Sequence, residues 1–161
     1  MIGLSLIAAL LLVVMLCVVK NRYGVPDMVS SIYYLLGKRG WVFQVVMIAF
    51  GMLMMVCLLD SGRGVQCLAF LACAGLMFVG AAPRFLDESE RKVHKTAAIT
   101  SAIAGLLWSL SVDCRVAVAL SGWYGVYWIC RDKDSHPLFV AELMAIWMVL
   151  QAYWGTFLGV E

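Results

Sequence analysis

The sequence predicts an all-α, polytopic membrane protein of six transmembrane helices, with a short cytoplasmic interfacial helix between the first two and both termini outside. Composition gives the first indication, because 64% of the residues are apolar and 14% charged, against about 45–50% and about 25% in soluble domains. The mean hydropathy of +0.94 agrees. Spacing gives the second indication: six apolar runs alternate with charged segments, and crossing a hydrocarbon core about 30 Å thick takes roughly 20 helical residues. Backbone groups have no water to pair with in hydrocarbon, so each run reads as a helix. The 161 residues then form a single transmembrane domain, 1–161.

The first span runs from Ile2 to Val19. It lacks the basic start and small-residue cleavage site of a signal peptide, and Lys20 and Arg22 follow it as they would a stop-transfer span. Next comes "RYGVPDMVSSIYYLLGKRG", too polar to span. Pro26 suits the first turn of a helix and Gly37 its end. Val29, Ile32, Tyr33 and Leu36 fall at i, i+3, i+4 and i+7, opposite Asp27, Ser30, Ser31, Tyr34 and Lys38. This pattern predicts a short amphipathic helix lying in the membrane interface.

The second span is Trp41 to Leu59 and the third Val65 to Ala82, where Pro83 stops it. In "PRFLDESERKVHK", Asp87 and Glu90 make an acidic helix start of the capping-box type. The fourth helix therefore begins near Asp87, although its apolar part runs from about Thr96 to Val112. The fifth span, Val116 to Cys130, is the shortest. It crosses if Asp113 and Arg115 are drawn to the headgroups or the bilayer thins, and five spans with a re-entrant piece is the alternative. The sixth runs from Leu138 to Val160. Trp41, Trp123 and Trp128 lie near span ends, as interfacial anchors do.

Basic residues resist translocation and so orient the chain. Lys20, Arg22, Lys38 and Arg39 follow the first span, Arg84, Arg91, Lys92 and Lys95 the third, and Arg131 and Lys133 the fifth. The two other loops hold only Arg63 and Arg115, so the three basic loops face the cytoplasm. The expected location is the bacterial inner (cytoplasmic) membrane, with the lipid bilayer as partner. The net charge of +2 suits anionic headgroups, and nothing resembles a nucleic-acid module. Cys57, Cys67 and Cys114 fall toward the outer side, where a disulfide between two of them remains open. No C-x-x-C spacing points to a metal.

Two ionisable residues lie inside helices near the cytoplasmic side. His94, Ala98, Ser101, Gly105 and Trp108 make one stripe whose small members admit a neighbouring helix, which turns His94 toward the bundle. Helix three offers Ala69, Ala72, Cys73, Gly75, Gly80 and Ala81 as a matching surface. Glu142 lies just over one turn into the sixth helix, at a similar depth. Ionisable groups at that level face partners or water. Asp27, Ser31, Tyr34, His94 and Glu142 are therefore the expected ligand-binding residues, converging on one inner pocket. Structural alternatives stand beside this: a first-turn charge for Asp27, an ion pair with Arg84 or Lys95 for Glu142, and a solvated loop position for His136.

The segment "VGAAPRFLDESERKVHKTAAITSA" resembles the central loop of six-helix membrane proteins related to the damage-regulated autophagy modulator family, with His94 at the matching position. "YGVPDMVSSIYYLLGKRGW" is similar to segments of uncharacterised small membrane proteins of gut bacteria and their phages. These resemblances imply a six-helix membrane protein without established chemistry. Ceramidase-like membrane hydrolases use several histidines with an aspartate and a serine around zinc; this chain holds two histidines and departs from that pattern.

Three functions are compatible with the sequence. The first is a non-enzymatic membrane protein, monomeric or homo-oligomeric, that binds a lipid or small-molecule ligand in its cytoplasmic-side pocket. The second is an oligomeric pore or channel of a lysis-like or effector-like kind. The third is a metal-dependent intramembrane lipid hydrolase using Asp27, His94 and Glu142. No Gly-x-Ser-x-Gly elbow, phosphate loop or dinucleotide fingerprint is present, so no catalytic residue, metal or cofactor is expected.

Overall fold

The computed structural model describes residues 1–132 and 135–158, with side chains through Thr156. Among these residues seven α-helices and no strand occur: α1 (Ile2–Tyr23), α2 (Ile32–Leu35), α3 (Trp41–Asp60), α4 (Gln66–Ala81), α5 (Glu88–Val112), α6 (Cys114–Cys130) and α7 (Pro137–Leu158). Four stretches are long and apolar enough to cross a membrane: Ile2–Tyr23, Gly37–Asp60, Glu88–Val112 and Pro137–Thr156. The apolar α4 is shorter, with 16 residues, and α6 has 17. Lys133 and Val160, which entered the sequence reading, lie outside the described residues.

Side-chain contacts sort the helix ends into two groups. At one end, the Cys57 thiol of α3 reaches the Met1 carbonyl at 3.6 Å. Trp154 of α7 donates to Ser5 of α1 at 3.0 Å, and Trp108 of α5 donates to the Arg63 carbonyl at 3.2 Å. At the other end lie the 24–40 segment, the 82–87 connection and the start of α7. Tyr124 of α6 donates to the Pro137 carbonyl there at 3.2 Å. The chain thus runs back and forth between two ends. The segments carrying Lys20 to Arg39, Arg84 to Lys95 and Arg131 all lie at the second end.

Small residues set the packing. α4 lies between α3 and α5, and a Cβ on Gly75 would stand 2.7 Å from the Ser101 Cβ and 2.8 Å from the Ala97 carbonyl oxygen of α5. Only glycine admits that approach. Ser101 completes the contact by donating to the Ala72 carbonyl at 2.7 Å, which satisfies a hydroxyl that burial would otherwise leave unpaired. The stripe read from the sequence is therefore largely the α5 packing face: His94, Ser101, Gly105 and Trp108 are buried, together with Ala97 and Ala104. Phe43, Met47, Phe50 and Met54 of α3, Cys73 of α4, and Ile146, Leu150 and Tyr153 of α7 complete the core.

Two local expectations are corrected. The 26–37 segment is not one amphipathic helix but a strap of short pieces: a 3-10 turn at Val29–Ser31, the single α-turn of α2, and a second 3-10 turn at Gly37–Arg39. The expected face is kept in part, since Val29 and Ile32 are buried and Tyr33 and Leu36 half-buried. The helix fails because its first residues bond elsewhere: Phe139 of α7 donates to the Asp27 carbonyl at 3.1 Å, and Met28 is extended. The capping box also does not form. Asp87 holds the N-cap position without a side-chain cap bond, while Glu90 turns back to Arg84, accepting from its backbone amide at 3.0 Å and pairing with its guanidinium at 2.7 Å. That pairing holds the Arg84 guanidinium above its ordinary pKa. Finally, Asp113 does cap a helix, accepting from the Arg115 amide at 2.9 Å to start α6. All six cysteines are free.

The close α4–α5 approach has a direct test. Gly75→Val should lower stability by about 1–3 kcal/mol, because overpacking a tight contact forces backbone shifts. Gly122→Ala on α6, where an added Cβ meets nothing within 4 Å, should leave thermal unfolding in detergent unchanged or raise its midpoint. Equal effects from the two substitutions would contradict the packing described.

Candidate functional site

An elongated cavity of about 80 Å³ opens inside the bundle, against α3, α4, α5, α7 and the strap. Its walls are apolar: Met47, Phe50 and Met54 from α3, Cys73, Leu76 and Val79 from α4, Ala98 and Ala102 from α5, and Ile146 and Val149 from α7. Met47 and Met54 stand seven residues apart on α3, so the cavity extends about 10 Å along the bundle at 1.5 Å per residue. Alanines at 72, 98, 102 and 145 leave this room where larger side chains would fill it. Flexible methionines let its shape adapt.

Polar groups sit at one end. Val29 and Ser30 of the strap roof the cavity, and Glu142 reaches it from the second turn of α7. The Glu142 carboxylate accepts the hydrogen bond of the Val29 amide, the N–H that opens the first 3-10 turn and has no partner within it. The strap is thus fastened by a carboxylate. No Lys, Arg or His among the described residues pairs with Glu142; the four ion pairs there are Arg84 with Asp87 and with Glu90, Arg115 with Asp113, and His136 with Asp27. The other lining hydroxyl, Ser101, is already committed to Ala72.

The structure separates the expected site residues into three places. Glu142 alone among them lines the cavity. His94 is buried, but its Nδ1 bonds the Ala82 carbonyl at 2.8 Å and its ring packs on Phe85 with centroids 5.1 Å apart. Tyr34 belongs to the same cluster, edge-on to Phe85 at 5.1 Å and accepting the Leu86 amide at 3.0 Å. His94 and Tyr34 therefore clamp the 82–87 connection. Asp27 is exposed and pairs with His136 at 3.1 Å, which gives His136 a partner in place of a purely solvated position. Ser31 turns to its own chain, donating to the Met28 carbonyl at 2.7 Å. Its neighbour Ser30, 2% exposed, is the serine that lines the cavity.

Convergence of Asp27, His94 and Glu142 in one pocket is thus not what the fold builds. Each is held by a different neighbour, so the three do not form one acid–base or ligand set. Among the described residues no group of three His, Cys, Asp or Glu side chains is placed to hold a metal ion. The sequence signal that identifies Glu142 was its position inside an apolar helix; the signal that misplaced Ser31 was a helical register across a strap that is not helical.

No protein-family model, no curated protein and no solved structure matches this chain. The cavity and its carboxylate therefore carry the functional reading.

The strap contact makes a measurable claim. Glu142→Ala removes the acceptor of the Val29 amide, and leaving such a group unpaired costs about 1–3 kcal/mol. Hydrogen exchange of amides 27–33 should accelerate by about tenfold or more, with little change in the middle of α4. Glu142→Gln, which keeps an acceptor oxygen, should change exchange much less. Uniform acceleration across the bundle in both variants would contradict a local fastening.

Proposed function

We propose that this protein is a six-span integral membrane protein, with both termini outside and its three basic loops at the cytoplasm, whose function is to bind an amphipathic lipid or small molecule in the cavity beneath the strap. One observation carries the binding reading: a partly open apolar space inside the bundle that ends at a single acidic group. Ligand sites are typically apolar concavities with few, placed polar groups, and this cavity has that chemistry.

Membrane embedding is supported by the outer surface. Val118 is 64% exposed, Leu10 62% and Ile129 82%, and only 28–39% of the windows in the four long spans is buried within the protein. Contiguous apolar surface of this extent is stable against lipid. α4 and α6, at 16 and 17 residues, reach about 24–26 Å, so the bilayer thins around them. The connections bearing Arg84 to Lys95 and Lys20 to Arg39 share one end of the bundle, as cytoplasmic loops do. The bacterial inner membrane is the proposed location, in keeping with the resemblance noted for residues 23–41.

Topology and binding have separate tests. In a background without the native cysteines, single cysteines replacing Lys92 and Arg63 should label from opposite sides of sealed inverted vesicles, Lys92→Cys from the cytoplasmic face. Labelling of both from one side would refute the orientation. For binding, the protein extracted directly into nanodiscs should carry a small amphipathic molecule detectable by native mass spectrometry. Ala145→Phe, which fills the cavity from α7, should lose it while keeping its helix content. Unchanged occupancy in that variant would show that the cavity is not the binding site.

A further inference from the structure

The cavity combines two features that restrict its occupant. It is narrow and about 10 Å long by helix rise, and its walls between Met47 and Met54 of α3 and between Ala145 and Val149 of α7 offer no free polar group. At its strap end stands Glu142, which accepts one backbone amide and has no cationic partner among the described residues. A single amide dipole does not neutralise a carboxylate. Half-buried in the bundle, such a carboxyl either takes up a proton or, to stay ionised, needs an opposite charge or several donors, because leaving the charge with less costs several kcal/mol.

Among the described residues, the surroundings do not supply that charge. Arg84 is engaged by Glu90, Arg91 donates to the Phe85 and Leu86 carbonyls, and His136 pairs with Asp27. Lys92 and Lys95 are exposed, where solvent screens them over roughly 8–10 Å. The geometry points to an organic cation as the missing partner: the cavity selects a monocationic amphiphile, with one narrow apolar chain among Met47, Phe50, Met54 and Ile146 and its ammonium or amidinium group against the Glu142 carboxylate. This rests on the binding reading given above and adds the charge of the ligand to it. An anionic lipid headgroup is excluded from the polar end by like charge, and a neutral alcohol gains a hydrogen bond there without charge compensation.

Three probes of one length separate these cases: n-octylammonium, 1-octanol and octanoate, each titrated against the full chain in zwitterionic nanodiscs, with empty nanodiscs subtracted. The wild type should hold octylammonium at least about tenfold more tightly than octanol, the difference expected when a hydrogen bond becomes charge-assisted, and octanoate least. Glu142→Gln keeps an acceptor for the Val29 amide and should equalise octylammonium and octanol. Ala145→Phe should abolish specific binding of both. If octanol or octanoate binds the wild type as tightly as octylammonium, or if Glu142→Gln keeps the preference, the cationic assignment is overturned while the cavity stands as a site. If no probe binds above the empty nanodisc, the cationic assignment and the binding reading fail together.

Discussion

The hydrogen bond from the Val29 amide to the Glu142 carboxylate joins two parts of the chain 113 residues apart, and the cavity depends on it. The strap has little helical structure of its own: a 3-10 turn, one α-turn and a second 3-10 turn, each too short to be stable alone. Its position comes from what it touches. Val29 and Ile32 are buried under it, Glu142 and Phe139 tie it to the start of α7, and Tyr34 ties it to the 82–87 connection. Release of the carboxylate would leave an unsatisfied amide over an apolar space, so roof and floor of the cavity are coupled.

The space beneath the strap follows from a second constraint, the distribution of small residues on α4 and α5. Gly75 brings α4 against the backbone of α5, and Gly80 brings it close to Met47 of α3. Close approach on those faces fixes where the helices stand. Alanines then line the cavity at 72, 98, 102 and 145, Ala102 at its exposed edge, and no side chain there is large enough to fill the room between α3, α5 and α7. Packing is dense where glycine allows contact and open where alanine meets alanine. A carboxylate at the strap end makes the void chemically directional.

Much of the fold was legible in the sequence because apolar run length is a strong signal. The described bounds of α3, α4 and the end of α5 fall within a residue or two of the apolar runs, and α5 begins at Glu88 as the acidic start near Asp87 implied. His94 was legible as buried from the small residues spaced after it. The strap was not legible as it is built, because its 3.6-residue periodicity described which side chains are buried but not which backbone groups are bonded. Those bonds go to α7, a partner that no local pattern reveals. For the same reason Asp27 with His136, Glu90 with Arg84, and Ser30 in place of Ser31 emerged only from the three-dimensional arrangement. Glu142 was found because an acid within an apolar helix is rare and costly enough to stand out on its own.

The central claim is that the cavity beneath the strap is a ligand site with Glu142 at its strap end. A density map of the protein in a lipid nanodisc, with its native contents retained, tests this most directly. The expected result is elongated density between Met47 and Met54 of α3 and Val149 of α7, ending beside the Glu142 carboxylate with the Val29 amide in contact. A bundle in which Phe50, Ile146 and Val149 close on one another without intervening density, with Glu142 turned to solvent and the strap detached, would contradict it.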